Sequence, residues 1–320
     1  MGFRLVERVF SHKEDCPSIL LANINVSIDV KRNLDKMERI IQVAHDKDVN
    51  IVIFPELSVT GYVWDTINEN DVFEKLQEGE NSRIISWIEN IRDSLRGDGK
   101  GLQYIFYNNV REKEGSLFNS TFIIHKDMDH QEEGLIYDKI FLTPLEQRFF
   151  KQGSDKRLII DTHWGRFGFL ICYDLVFVEM ARKYAFVDEV DAIITMADWR
   201  SEAIREYSHM NVRTDHYYGY LWDLMNSSKS AYNQIWSLGV NNVGRHEISQ
   251  DYFWGGSGVW APSGMKLLQA SNINEELLIV YNLDFRGQRL VEKDDFNYRI
   301  DFHRLYNKID DADTHTQYLP

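Results

Sequence analysis

Cysteine is almost missing from this chain: two residues in 320, Cys16 and Cys172, cannot build a disulfide framework, which sets aside the stapled secreted domains. Proline is scarce as well, five in all. With no Ser/Gly-rich run, no low-complexity stretch and no fixed-period repeat, nothing marks a linker. No apolar run reaches membrane-spanning length. The stretch from Met1 to Cys16 carries scattered charges in place of the apolar core of a signal peptide, and Val6 stands where a myristoylation signal needs Ser or Thr. Basic charge is in deficit: 36 Lys and Arg against 50 Asp and Glu leave a net charge of −14. Nucleic acids and anionic membranes both demand a basic face, so neither is an expected partner, and the expected location is cytoplasmic.

What the chain does have is apolar matter for a large core, 43% hydrophobic against 27% charged residues. One domain is the expectation, although length alone allows two. Residues 19–28 read as a strand, 31–47 as an amphipathic helix with Ile40, Ile41 and Ala44 inward, and 50–54 as a second strand. A helix over about residues 82–95 runs into Gly97-Asp98-Gly99-Lys100-Gly101, a reversal signal. Residues 103–110 and 118–125 flank the turn Glu112-Lys113-Glu114-Gly115 as a hairpin. Further strands are expected at 157–161, 165–171, 192–196, 234–240, 258–261 and 277–283, with a helix over 176–186. Helices that alternate with strands and then give way to strand pairs imply sheets covered by helices on one face and packed together on the other.

Three short segments carry chemistry. The run Arg166-Phe167-Gly168-Phe169-Leu170-Ile171-Cys172-Tyr173-Asp174 is a strand that ends on a thiol and passes at once into a helix. Such a turn pushes Cys172 out of the sheet beside backbone N–H groups that can face an oxyanion. Taken alone, the same cysteine reads as a small buried hydrophobe. Phe54-Pro55-Glu56 places a carboxylate after a proline break, and Leu135 to Pro144 is a strand-like run with Lys139 near its end. Each of these charges, alone, reads as a solvated loop or edge residue.

In the chain order Glu56, Lys139, Cys172 the segments resemble the nitrilase, or carbon-nitrogen hydrolase, superfamily. The likeness extends from Ser18 to Asp284 and takes in Phe54-Pro55-Glu56-Leu57, Thr60-Gly61-Tyr62, Phe149-Phe150-Lys151-Gln152-Gly153, Ala197-Asp198-Trp199, Val240-Asn241-Asn242-Val243-Gly244 and Gly255 to Gly264. It implies an α/β fold, a four-layer αββα sandwich of the nitrilase type, with residues 1–300 as the one domain and 301–320 as a C-terminal extension at an oligomer interface. A homodimer or higher homo-oligomer is implied too. The implied activity is cleavage of a non-peptide carbon-nitrogen bond in a small linear amide through a cysteine thioester, with no cofactor and no metal.

The resemblance also distributes roles. A free thiol has a pKa of about 8.5, and the Lys139 ammonium would draw it down, since unit charges 4 Å apart attract by roughly 4 kcal/mol at an effective dielectric near 20. Glu56 would act as general base, Lys139 and the Tyr173 backbone N–H would meet the oxyanion, and Glu146 would orient Lys139 or the attacking water. The plain alternative for Glu146 is a loop carboxylate paired to Arg148. Tyr173-Asp174 is the dipeptide of amidase-like branches. Val176 stands where the branch acting on ω-amides tends to place an Arg, so a free-carboxylate substrate loses support.

Tyr62, Trp199, His209, Arg213, His216 and Tyr217 are the pocket candidates. Most lie in the segment from Arg200 to Tyr220, which reads as a lid, a pocket wall or a solvated loop and is expected to govern which amide is accepted. Its histidines lack zinc-site spacing with any cysteine. Two rivals come from other classes: a papain-type Cys/His hydrolase using His163 or His209, and a non-catalytic binding protein on the same fold. Within the family, N-carbamoyl amidohydrolase and amide or acyl transferase compete.

Overall fold

The chain runs through β1 (Arg4–Val9), β2 (Ile19–Asn23), α1 (Val30–Asp46), β3 (Ile51–Ile53), α2 (Glu80–Ser94), β4 (Tyr104–Lys113), β5 (Ser116–Ile124), β6 (Tyr137–Asp138), β7 (Ile159–Thr162) and β8 (Gly165–Ile171). It continues through α3 (Val178–Phe186), β9 (Ala192–Ala197), β10 (Arg205–Tyr207), β11 (Val212–Thr214), α4 (Tyr217–Asn233), β12 (Trp236–Asn241), β13 (Val243–Arg245) and β14 (Tyr252–Trp254). Last come β15 (Gly258–Trp260), β16 (Lys266–Gln269), β17 (Glu276–Tyr281), α5 (Phe285–Asp295) and α6 (Tyr298–Leu305). This computed structural model describes residues 3–13, 15–63, 80–95, 101–128, 132–210 and 212–306. The reversal read at Gly97 to Lys100 and positions 307–320 of the expected C-terminal extension lie outside them.

Two mixed sheets form the frame, one ordered β1-β17-β2-β3-β4-β5-β6 and the other β16-β15-β12-β9-β8-β7. Period-two alternation decides what each strand buries on which side. In the first sheet Ile19, Leu21, Ile51, Ile53 and Phe106 join a core shared with Phe167, Phe169 and Ile171 of the second. Their neighbours Leu20, Ala22, Val52 and Ile105 pack instead under Met37, Ile40 and Ile41 of α1 and Trp87, Ile88 and Ile91 of α2. Helix α3 covers the outer face of the second sheet through Met180, Ala181 and Tyr184. The order helix, sheet, sheet, helix gives the αββα sandwich.

Local chemistry sets the ends. Asp29 caps α1 by accepting from the Arg32 N–H at 3.1 Å. The β4–β5 hairpin turns on Glu114 and Gly115, both at positive φ (52° and 71°), the primed geometry that matches strand twist. Gly168 is required by packing, because a Cβ there would stand 2.6 Å from the Tyr184 ring of α3.

Two expectations are corrected. The run from Leu135 to Pro144 is strand only at Tyr137–Asp138; Glu133–Leu135 is a 3-10 turn, and Lys139 lies just past the strand end. The segment from Arg200 to Tyr220 is not one loop. It forms the small hairpin β10–β11, and from Tyr217 onward it is already helix α4.

Candidate active site

Strand ends bring the chemistry together. Glu56 follows β3, Lys139 follows β6, Cys172 follows β8 and Asp198 follows β9. The carboxyl ends of strands are where α/β sheets hold ligands. The first two residues hang from one sheet and the last two from the other.

Glu56 and Lys139 are fully buried and joined directly, Lys139 Nζ donating to Glu56 Oε1 at 2.8 Å. The same ammonium donates to both oxygens of buried Glu146, at 2.7 and 3.0 Å. One cation therefore stands between two carboxylates. Asn119 ties the pair, its Nδ2 donating to Glu56 Oε1 at 2.7 Å and to Glu146 Oε1 at 3.2 Å. Its carbonyl accepts from the Lys139 backbone N–H at 2.8 Å. Glu146 Oε2 also accepts from the Thr143 N–H at 2.9 Å, so Glu146 is held toward Lys139 and not as a loop carboxylate on Arg148. The second oxygen of Glu56 accepts from the Asp198 backbone N–H at 2.8 Å. Both carboxylates are fully engaged, and the Lys139 ammonium is held well above its ordinary pKa, the two anions outweighing the cost of burial.

Cys172 occupies a left-handed backbone conformation, φ 45°, at the head of the 3-10 turn Cys172–Val176. Such a residue is strained unless its surroundings fix it. Asp174 does the fixing: Oδ2 accepts from the Ile171 N–H (3.0 Å) and the Tyr137 hydroxyl (2.8 Å), and Oδ1 from the Phe141 N–H (2.8 Å). The nucleophile's turn is thus pinned to the segment that carries Lys139. Burial lifts the Asp174 carboxyl to about 6 despite these three donors.

The expected effect of Lys139 on the thiol is corrected. Burial pushes the Cys172 thiol well up, Glu56 adds to this, and Lys139 opposes it without prevailing. The cation is already matched by Glu56 and Glu146, so a thiol rests here, not a thiolate. Cys172 keeps part of its surface open to solvent and packs against the apolar cluster of Leu175, Ala197, Trp199, Trp222 and Trp260.

The pocket candidates divide. Trp199 is buried in that cluster, its indole N–H donating to the Tyr218 carbonyl of α4 at 2.7 Å. Tyr62 is half-buried, with its hydroxyl in the field of Glu146, Lys139, Glu56 and Cys172 and its acidity suppressed mainly by burial. His209 and Arg213 are exposed on the β10–β11 hairpin, and Arg213 pairs with Asp215 at 3.0 Å. His216 is exposed before α4, and Tyr217 lies beneath the Arg205 guanidinium, 4.5 Å from its ring centre. Tyr173 stacks edge-on against Phe177, 5.4 Å between ring centres.

With His163 as partner, the Cys/His alternative fails on geometry. His163 is exposed at the turn before β8, and that seven-residue strand puts about 20 Å between it and Cys172. Among the described residues no cluster of His, Cys, Asp or Glu fits a metal ion, and no helix is long and apolar enough to cross a membrane. Sequence reasoning missed Asn119 and quoted Asp198 only as part of a motif. The available signal was polarity inside a buried strand, Asn119-Ser120-Thr121.

Residues 18–289 match the sequence model of the carbon-nitrogen hydrolase family. A probable nitrilase of Schizosaccharomyces pombe is 26% identical over 84% of this chain and 89% of its own length. The N-carbamoylputrescine amidase of Solanum lycopersicum is 24% identical over 80% and 82% of the two chains. Among solved structures, a carbon-nitrogen hydrolase from Helicobacter pylori superposes with a TM-score of 0.72 at 17% identity, covering 94% of this chain and all of its own. An amidase from a Nesterenkonia species, trapped with acrylamide added to its active-site cysteine, gives 0.62 at 18% identity over 91% and 99% of the chains.

Proposed function

Because the chain belongs to the carbon-nitrogen hydrolase family, we propose that it hydrolyses a small linear amide through a thioester on Cys172, with Glu56 as base and Lys139 as oxyanion partner. The observation that carries this reading is the buried contact of Lys139 with Glu56 at 2.8 Å, at the ends of strands that flank a strained cysteine turn. Cys172 Sγ attacks the amide carbon as its proton passes to Glu56, and the carbonyl oxygen, now an anion, is met by the Lys139 ammonium and the Tyr173 N–H. Collapse breaks the C–N bond, and Glu56 returns the proton to the departing nitrogen. Water then gives a proton to Glu56 and attacks the thioester; the C–S bond breaks, the sulfur is reprotonated and a carboxylate leaves.

Since the thiol rests protonated, Glu56 has to accept its proton during attack and not beforehand. This suits a base whose two oxygens are already oriented by hydrogen bonds from Lys139, Asn119 and the Asp198 N–H. N-carbamoyl compounds are the second reading, favoured by the names of the plant relatives. Ammonia release over a panel of amides, carbamoyl compounds and nitriles separates them. In the same assay Cys172→Ala should abolish turnover, and peptide-mapping mass spectrometry of acid-quenched wild type should find the acyl adduct on Cys172. An adduct on Cys16 alone would overturn the assignment.

A further inference from the structure

Asp198 is the one member of this constellation whose side chain has no assigned task. Its residue is 6% exposed, and among the described residues neither carboxyl oxygen has a hydrogen-bond partner. The Asn242 amide lies beside it without closing a bond of ordinary geometry, and Glu56, Lys139 and Arg200 are the charges it feels. The thiol of Cys172 in turn feels Asp198. A buried carboxyl without partners is costly unless something arrives to bond it. Its place is fixed by its own backbone, which holds Glu56 Oε2 through the Asp198 N–H at 2.8 Å. The unpartnered group therefore stands beside the base, close enough for its charge to be felt by both Glu56 and the Cys172 thiol.

We propose that Asp198 is a substrate-binding residue whose carboxyl takes an N–H of the amide that Cys172 attacks, favouring carboxamide and ureido substrates over nitriles and esters, which carry no N–H. Burial, reinforced by the neighbouring Glu56 charge, holds the Asp198 carboxyl well above the usual carboxylate range, which favours its protonated form. A protonated carboxyl offers one donor and one acceptor, and an amide or ureido group presents the matching pair. A neutral partner also avoids setting a third negative charge beside Glu56 and Glu146. This inference rests on the amidase reading above.

The test compares wild type, Asp198→Asn and Asp198→Ala on the best primary amide from the ammonia-release panel and on the methyl ester of the same acid. With one hydrogen bond at stake, Asp198→Ala should lose about tenfold or more in kcat/KM on the amide and stay within about threefold on the ester. Asp198→Asn keeps an acceptor oxygen and should lie between the two on the amide; being isosteric, it also covers the case in which the alanine variant does not fold. Equal losses on amide and ester, or no loss on either, would overturn the inference while leaving the amidase reading in place. A wild type that cleaves the ester and no amide would sink that reading and this inference together.

Discussion

Lys139 faces two carboxylates, and that imbalance governs the acidity of the thiol beside them. Glu146 is one of the groups that hold the Cys172 proton on, after burial and Glu56, whereas Lys139 works against them. Glu146→Gln removes one negative charge, so alkylation of Cys172 by iodoacetamide should begin at lower pH than in wild type. Turnover should nonetheless fall, by about tenfold to a hundredfold, because Lys139 and the Thr143 N–H lose a charged partner. An unchanged alkylation profile would show that the thiol does not sense Glu146. Glu56, Lys139 and Cys172 were legible in the sequence because each ends an apolar run with its own flanking motif. Asn119 and Asp198 were not, because what gives them a role is contact with residues far away in the chain, Glu56 and Glu146 for Asn119 and Glu56 across the two sheets for Asp198, and spacing along the chain does not encode it.

At the scale of single elements, α4 carries another buried lysine. Lys229 is 6% exposed and donates to Thr195 Oγ1 at 2.6 Å and Asn226 Oδ1 at 3.3 Å, both neutral acceptors. Burial brings its pKa down to about 7 from an unfolded value of 10.5. The unfolded chain thus holds a proton that the folded chain has released across this window, so stability rises with pH between about 7 and 10.5. Lys229→Met removes the penalty. Its unfolding free energy in urea at pH 6 should exceed that of wild type by on the order of 2–4 kcal/mol less the lost hydrogen bonds, and the gap should close toward pH 10. A gap independent of pH would contradict this.

Helix α4 also shows where sequence reading stopped. Tyr217–Asn233 is rich in Tyr, Gly, Ser and Asn, weak helix formers, and tertiary packing of Trp222 under Trp199 and Trp260 overrides that preference. Strand β1 was hidden for the opposite reason. Arg-Leu-Val-Glu-Arg-Val looks like solvated chain, yet it pairs in parallel along β17 as an exposed edge strand, with Arg4 bonded to Glu276 at 3.2 Å.

On the scale of the whole molecule, the two-sheet architecture makes the site a product of sheet packing. Phe106 and Phe169 meet edge to face across the interface, ring centres 5.1 Å apart. Phe169→Ala should cost about 3–5 kcal/mol of stability and lower kcat as well, since Phe169 lies three residues before Cys172, on the strand that leads into its turn. In urea, loss of activity and loss of circular dichroism should coincide for wild type. Activity lost well before the dichroism would mean that the site opens without the sheets parting. The layered frame was legible from alternating patterns and the family motifs, whereas the small hairpin β10–β11 was not: its exposed side chains bury no stripe that a pattern could reveal.

The pairing of one ammonium with two carboxylates also has a consequence for the direction of traffic. The buried centre carries an excess of one negative charge before any substrate arrives, which a neutral amide enters without electrostatic penalty. The acid formed there ionises to a carboxylate beside Glu56 and Glu146, and like charges in a poorly solvated space repel. Such a centre should expel its product and resist running backward. Added carboxylate product should inhibit amide turnover only at concentrations well above the KM for the amide, and more weakly at pH 8 than at pH 5, where part of it is neutral.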